Sequence, residues 1–134
     1  LVGSEMCIRD RGKPFTVRMK VQMHAPIEYP IFALSIKDAK GTEITGTNTM
    51  FEKTDFEVGP IMEISFEQDM NLQGGEYLLS LGCTGYNGTD FTVYHRLYDV
   101  CNITVVSDKN TVGYYDMNSK ITVQTYEGTN ICRK

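Results

Sequence analysis

Tyr94-His95-Arg96-Leu97-Tyr98-Asp99 sets two phenol rings, an imidazole, a guanidinium and a carboxylate within six residues. Such groups suit sugar recognition: aromatic faces cover the apolar side of a pyranose, and planar polar groups pair with its hydroxyls. Tyr94, His95, Arg96 and Tyr98 are therefore the candidate ligand-binding residues. The same residues also fit a strand whose Tyr94, Arg96 and Tyr98 face solvent or a subunit partner. A second polar stretch, GTEITGTNTM from Gly41 to Met50, holds four threonines and Asn48. Thr45, Thr47, Asn48 and Thr49 suit hydrogen bonding to a glycan, with Asn48 the further candidate, but threonine is also a good strand former on a wet face. Tyr86-Asn87-Gly88-Thr89-Asp90 reads as a binding loop or an ordinary polar turn.

Catalytic patterns are missing. The chain has no nucleophile elbow, phosphate loop or zinc-protease motif, and nothing pairs two of its 17 acids across a cleft as glycosidase chemistry needs. No catalytic residue, metal site or cofactor is expected. His24 stands alone at a strand end and reads as a turn residue. The net charge is −4, and the 13 Lys and Arg form no block, so nucleic acid is not an expected partner. Cys7, Cys83, Cys101 and Cys132 make no CxxC pair. Two disulfides and the triplets at Asn87 and Asn102 would suit a secreted protein. The absence of a signal peptide at the start and of paired spacing favours a reduced, cytoplasmic one.

These residues must be positioned by strands. With 134 residues, 41% of them hydrophobic, the chain has enough for one cored domain. No apolar run approaches the roughly 20 residues of a membrane helix. The dominant period is two. Phe15, Val17, Met19, Val21 and Met23 share a face, opposite Thr16, Arg18, Lys20 and Gln22. Pro26 ends that strand, and Phe32, Leu34 and Ile36 are in register on the next. Asp38-Ala39-Lys40-Gly41 suits a type I turn with a left-handed glycine, making the threonine-rich stretch the return strand of a hairpin. Ile44 and Thr42 are expected inward, Glu43 and Thr45 outward. Further strands are expected over Phe56–Pro60 running into Met62–Glu67, over Glu76–Gly82, over Phe91–Ser107 and over Ser119–Tyr126, with Cys83–Asp90 a loop. Most of the seven methionines fall on inward positions and read as core filler. This spacing predicts an all-β antiparallel β-sandwich, immunoglobulin-like or jelly-roll. Leu1 to Arg11 follows no strand or helix period and resembles a translated sequencing-adapter fragment. Native sequence is expected to begin near Gly12, with one domain over 12–134.

The order of these segments resembles the C-terminal domain of Wzt-type ATPases of polysaccharide ABC exporters. Pro30-Ile31-Phe32 through Ile36-Lys37-Asp38-Ala39-Lys40-Gly41 is similar to that family's strand and Asp-x-x-Gly turn, and Gly46-Thr47-Asn48-Thr49 follows at the usual place. Leu72 to Gly82 is similar to its leucine, glycine, tyrosine strand, and His95 to Val105 to its late histidine-bearing segment. The likeness spans roughly Lys13 to Val123. The chain departs from many relatives in having no tryptophan, a place that Tyr94 or Tyr98 would fill. The resemblance implies a non-catalytic domain that binds the polysaccharide or its terminal group, with the ATPase half lying outside this chain. It also implies a homodimer, often formed by exchange of a terminal strand. Further implied partners are the ATPase domain and a membrane permease, at the inner face of the cell membrane. The alternatives are a secreted carbohydrate-binding or adhesion module, or a structural dimerisation domain.

Overall fold

Alternating apolar residues set the first layer. In the computed structural model, which describes residues 5–127, Phe15, Val17, Met19 and Val21 all turn inward from one strand and are buried. Seven strands follow in chain order: β1 (Glu5–Asp10), β2 (Pro14–Gln22), β3 (Tyr29–Asp38), β4 (Glu43–Asn48), β5 (Ile61–Asp69), β6 (Gly75–Asn87) and β7 (Asp90–Val106). They form a five-stranded sheet in the order β1-β7-β6-β3-β4 and a two-stranded sheet of β2 and β5. The inner faces share one hydrophobic cluster, centred on Phe32, Met19 and Ile103, each at or below 2% exposure. Burying each such side chain contributes about 1.5–3 kcal/mol. The all-β sandwich-like architecture expected from the two-residue period is therefore the observed one.

The sheet is mixed rather than purely antiparallel, because β1 pairs parallel to β7, from Glu5 opposite Cys101 to Asp10 opposite Val106. β1 lies within the segment that shows no period in the sequence. An edge strand needs one ladder partner and no strict alternation, so its pairing leaves little trace in residue pattern. Its end is tied down by Arg11, whose guanidinium meets the buried Asp116 at 2.7 Å.

Three other expectations are corrected. Residues 54–59 form no strand, and β5 starts only at Ile61; Gly59-Pro60 interrupts the ladder rather than bending it. Cys83 to Asn87 is not a loop but the continuation of β6. The turn is the tight Gly88-Thr89 pair between Asn87 and Asp90. Gly88 takes φ +62° there and Thr89 has no positive φ, the pattern of a type II′ hairpin turn with glycine at its first central position. Finally, residues 117–127 contain no strand. Ile121 and Val123 are each 83% exposed, since alternation without a neighbouring edge makes no ladder.

The β3–β4 hairpin forms as expected around Gly41, at φ +91°. One carboxylate oxygen of Asp38 accepts from the backbone N–H groups of Lys40 and Thr42. A bulge between Ile36 and Lys37 leaves Ile44 as the extra residue of β4. It therefore puts Thr45 opposite the inward Ile36, while Ile44 packs against the core and Thr42 is exposed. One inserted residue shifts the expected alternation by one position. Of the methionines, Met19 and Met70 are buried and Met23 and Met62 pack on the core, whereas Met50 and Met117 are exposed.

Candidate functional site

The six-residue cluster lies on β7, and strand pairing divides it. Residues directly opposite across a ladder share a face. Arg96 stands opposite Gly82, which stands opposite Ala33. This row points outward, because its neighbours Leu81 and Leu34 are buried in the core. A Cβ built on Gly82 would approach the Arg96 side chain at 3.9 Å, confirming that the two share the outer face. His95 stands opposite the buried Cys83 and so belongs to the other face, although its own side chain is exposed. Tyr94 is the extra residue of a bulge between the Cys83–His95 and Thr84–Val93 pairs. Its ring packs partly on the core, and its hydroxyl accepts from Asn87 Nδ2 at 3.0 Å.

A second bulge, between the Leu79–Cys101 and Leu81–Leu97 pairs, aims Tyr98. Asp99 within it adopts φ +55°, a conformation that Asp tolerates better than most residues because its short side chain bonds locally. Ser80 holds the bend, its hydroxyl accepting from the Asp99 N–H at 3.0 Å. The Asp99 carboxylate meets Lys37 Nζ at 2.8 Å, and that ammonium also lies 5.9 Å from the Tyr98 ring centre. Arg96 Nη1 donates to the Tyr98 hydroxyl at 3.5 Å, a weak bond.

Arg96 and Tyr98 thus wall a shallow depression of about 210 Å3 whose floor is Ala33, Ser35, Ser80, Gly82 and Thr84. Small floor residues leave room for a flat ligand. Tyr98 is 65% exposed, and the guanidinium has no carboxylate partner within 4 Å among the described residues. The chemistry on offer is a ring face, a five-donor cation, the acidic Glu43, which also lines the depression, and hydroxyls from Ser35, Thr84 and Ser80, the last already accepting from Asp99.

Asn48 stands opposite Ala33 and so extends the same outward row, but its side chain is engaged in the turn that follows β4. Its side-chain oxygen accepts from the Phe51 N–H at 2.7 Å, and its carbonyl accepts from the Glu52 N–H at 3.1 Å. Thr47 donates its hydroxyl to Glu52. Thr49, buried, bonds Phe32 twice, through its own N–H and through its hydroxyl. These groups build the turn after β4.

Three further hollows among the described residues exceed that depression in volume, one of about 400 Å3 beside Ile44, Met70 and Tyr115. A second, of about 510 Å3, opens between β4 and β5 beside Thr47 and Asn48. Another, of about 480 Å3, lies by Asp38, Gly74 and Tyr114. There the second Asp38 oxygen accepts from the Tyr114 hydroxyl at 2.6 Å. That bond, followed by the bond from the Thr42 N–H, holds the Asp38 carboxyl below its ordinary value, and the same contact raises Tyr114. Asp116 is likewise lowered, first by its bond from Lys109 and next by that from the Asn118 N–H. Burial raises the Cys83 thiol, which is inert core. His24 is exposed in the bend after β2. Cys7 and Cys132 lie outside the residues whose side chains are described. Among the described residues no three His, Cys, Asp or Glu converge on a metal position.

Of the sequence candidates the structure gathers Arg96 and Tyr98 at this depression, with Gly82, Ser80, Ser35 and Lys37, which the sequence reading did not single out. The outward alternation of small residues along β3 and β6 carried that information, since inward positions there are large.

The Wzt C-terminal domain family model matches residues 3–117. A solved structure, the crystal structure of the C-terminal domain of Wzt, superimposes with a TM-score of 0.77 at 24% identity. The match covers 87% of this chain and 73% of that one. No curated protein matches the sequence.

Proposed function

The chain belongs to the Wzt C-terminal domain family, domains of polysaccharide ABC-transporter ATPases, and on that premise we propose that it is the exporter's non-catalytic glycan-recognition domain. The supporting observation is the outward depression, where Arg96 and Tyr98 present a cation and a ring over a floor of small and hydroxylated residues. A sugar lying there would stack on Tyr98 and exchange water for hydrogen bonds to Arg96 and the floor hydroxyls. The mechanism is selection by binding: the polysaccharide or its terminal group docks, and the ATPase and permease move what has docked. The protein then works in the cytoplasm, against the inner face of the membrane. Among the described residues no helix is long and apolar enough to cross a bilayer.

Tyr94, His95 and Asn48 take supporting places in this reading. Tyr94 braces the β6–β7 hairpin, Asn48 braces the turn after β4, and His95 serves the opposite face. The test is affinity electrophoresis and calorimetry of the domain against a panel of bacterial surface polysaccharides, with Arg96→Ala, Tyr98→Ala and His95→Ala beside it. Saturable binding lost in the first two variants supports the site. Binding lost only in His95→Ala moves the site to the other face.

A homodimer is the second element of the proposal. Residues 119–126 alternate as a strand should, yet they run exposed with no partner strand among the described residues. A second copy of the chain would supply the missing edge. Removing residues 119–134 should convert a dimer to a monomer in sedimentation. An unchanged mass for the shortened chain would refute the exchange.

A further inference from the structure

We propose that the outer face carries a second subsite, an aromatic platform of Tyr29, Tyr86 and Phe91 that stacks on neutral sugar rings farther along the same glycan. This rests on the reading of the Arg96–Tyr98 depression as a glycan site. Tyr29 pairs opposite Tyr86, and Tyr86 opposite Phe91, so one row of three strands bears three rings on the outward face. The Tyr86 and Phe91 rings lie 5.1 Å apart at a tilt of 58°. Tyr29 and Phe91 remain about half exposed, at 48% and 51%. Inward positions of the same strands already supply the core, so these rings are not needed for it.

The platform is held in place. Asn87 Oδ1 accepts from the Glu28 N–H at 2.7 Å, and the Glu28 carboxylate accepts from the Gly88 N–H at 3.2 Å. Gly85 lets β6 close against this end: a Cβ there would fall 2.8 Å from both the Ile27 side chain and the Tyr29 carbonyl. Rings fixed before binding lose little freedom when a ligand arrives.

One outward row, in which Ile31 is buried, separates the platform from the depression. Below the aromatic row come Ile31, Thr84 and Val93, and below those Ala33, Gly82 and Arg96. Four residues of β6 separate Tyr86 from Gly82, about 14 Å at ~3.4 Å per residue. A linear glycan lying along the strands would therefore meet Tyr98 and Arg96 with one unit and the platform with another.

Charge and size both favour a sugar over a protein. Glu28 and Asp90 flank the aromatic end, both exposed, while Arg96 is the cation at the other. An anionic unit is thus disfavoured at the platform and neutral units are favoured. Three rings across strands spaced ~4.8 Å apart span about 10 Å, a patch on the order of 100 Å2, far short of the roughly 800 Å2 per partner that a stable protein interface buries.

The chain has no tryptophan, so Phe91→Trp installs a single indole reporter on the platform. The polysaccharide bound by the wild-type chain is cut into size-fractionated fragments, from disaccharide upward, and each is titrated. The expected result is that affinity rises with fragment length until the platform is reached, with a blue shift of the indole only for the longer fragments. Tyr86→Ala and Phe91→Ala should flatten the length dependence, weakening long fragments by about threefold to tenfold and leaving the shortest unchanged. Equal binding of all lengths by wild type and variants would overturn the platform and leave the Arg96–Tyr98 site standing. A Phe91→Ala variant that changes sedimentation but not glycan affinity would overturn it in favour of a protein contact. Failure of wild type to bind any polysaccharide would instead remove the reading on which the platform rests.

Discussion

Two polar surfaces of this sheet look alike as sequence and differ as structure. Thr47-Asn48-Thr49 and Arg96-Leu97-Tyr98 both offer hydrogen-bonding groups on a strand of the same sheet. In the first, each polar side chain is committed to its own chain: Thr47 to Glu52, Asn48 to Phe51, Thr49 to Phe32. In the second, among the described residues the Arg96 side chain has only a 3.5 Å bond to Tyr98, and both side chains stay exposed. Buried polar groups must be satisfied, so residues that close a turn have little left for a ligand. What separates a binding surface from a structural one here is uncommitted capacity, not polarity.

The sharpest way to break that contrast is to remove the uncommitted groups. Arg96→Ala and Tyr98→Ala should each weaken glycan binding by roughly tenfold to a hundredfold, the scale of a lost charge-assisted bond or stacked ring, in calorimetric titration. Their melting temperatures should stay within a degree or two of wild type, since exposed substitutions usually change stability little. Thr49→Val should do the opposite. It leaves the Phe32 N–H without its side-chain partner and should cost about 1–2 kcal/mol in urea unfolding, with glycan affinity intact.

A smaller effect tests the floor. A Cβ at Gly82 meets nothing closer than 3.6 Å, so Gly82→Ala should fold normally and gain up to about 0.5–1 kcal/mol from reduced chain entropy. Its methyl group would nonetheless occupy the depression, and affinity should fall a few-fold. The smallest effect separates the sheet from its tail anchor. Asp116, buried between Arg11 and Lys109, has its carboxyl held below the ordinary value of 3.8. A lowered folded-state value means that stabilisation is fully present above the unfolded value and is lost as pH falls through the lowered one. Hydrogen exchange around residues 109–118 should therefore quicken below pH 3.8, ahead of the β6–β7 ladder, and Asp116→Asn should abolish that step.

Much of the fold was legible because two rules leave strong marks. The inward residues of β2, and Phe32, Leu34 and Ile36 of β3, alternate without interruption, and Asp38 with Gly41 fixes the turn between β3 and β4. Where glycines entered, legibility failed. Gly85 and Gly88 make Cys83–Asp90 look like a loop, although Gly85 sits in β6 where a close approach leaves no room for a side chain and only Gly88 belongs to the turn. Bulges hid the rest. The extra residue at Tyr94 reverses the alternation that runs from Phe91 and Val93, turning His95 to the inner face and Arg96 outward. The extra residue at Ile44 sets Thr45 opposite the inward Ile36, although the threonine stays exposed. Neither insertion is visible without the partner strand, because register belongs to the pair. The tail at 119–126 carries a true strand pattern and no partner among the described residues.

The most direct measurement is an amide chemical-shift map of the isotopically labelled domain during titration with the bacterial surface polysaccharides proposed as its ligands. The account predicts that the largest changes gather at Ala33, Ser35, Gly82, Arg96 and Tyr98, with Thr47, Asn48 and Thr49 nearly still. Changes centred on the turn after β4, or on His95 and the opposite face, would contradict it.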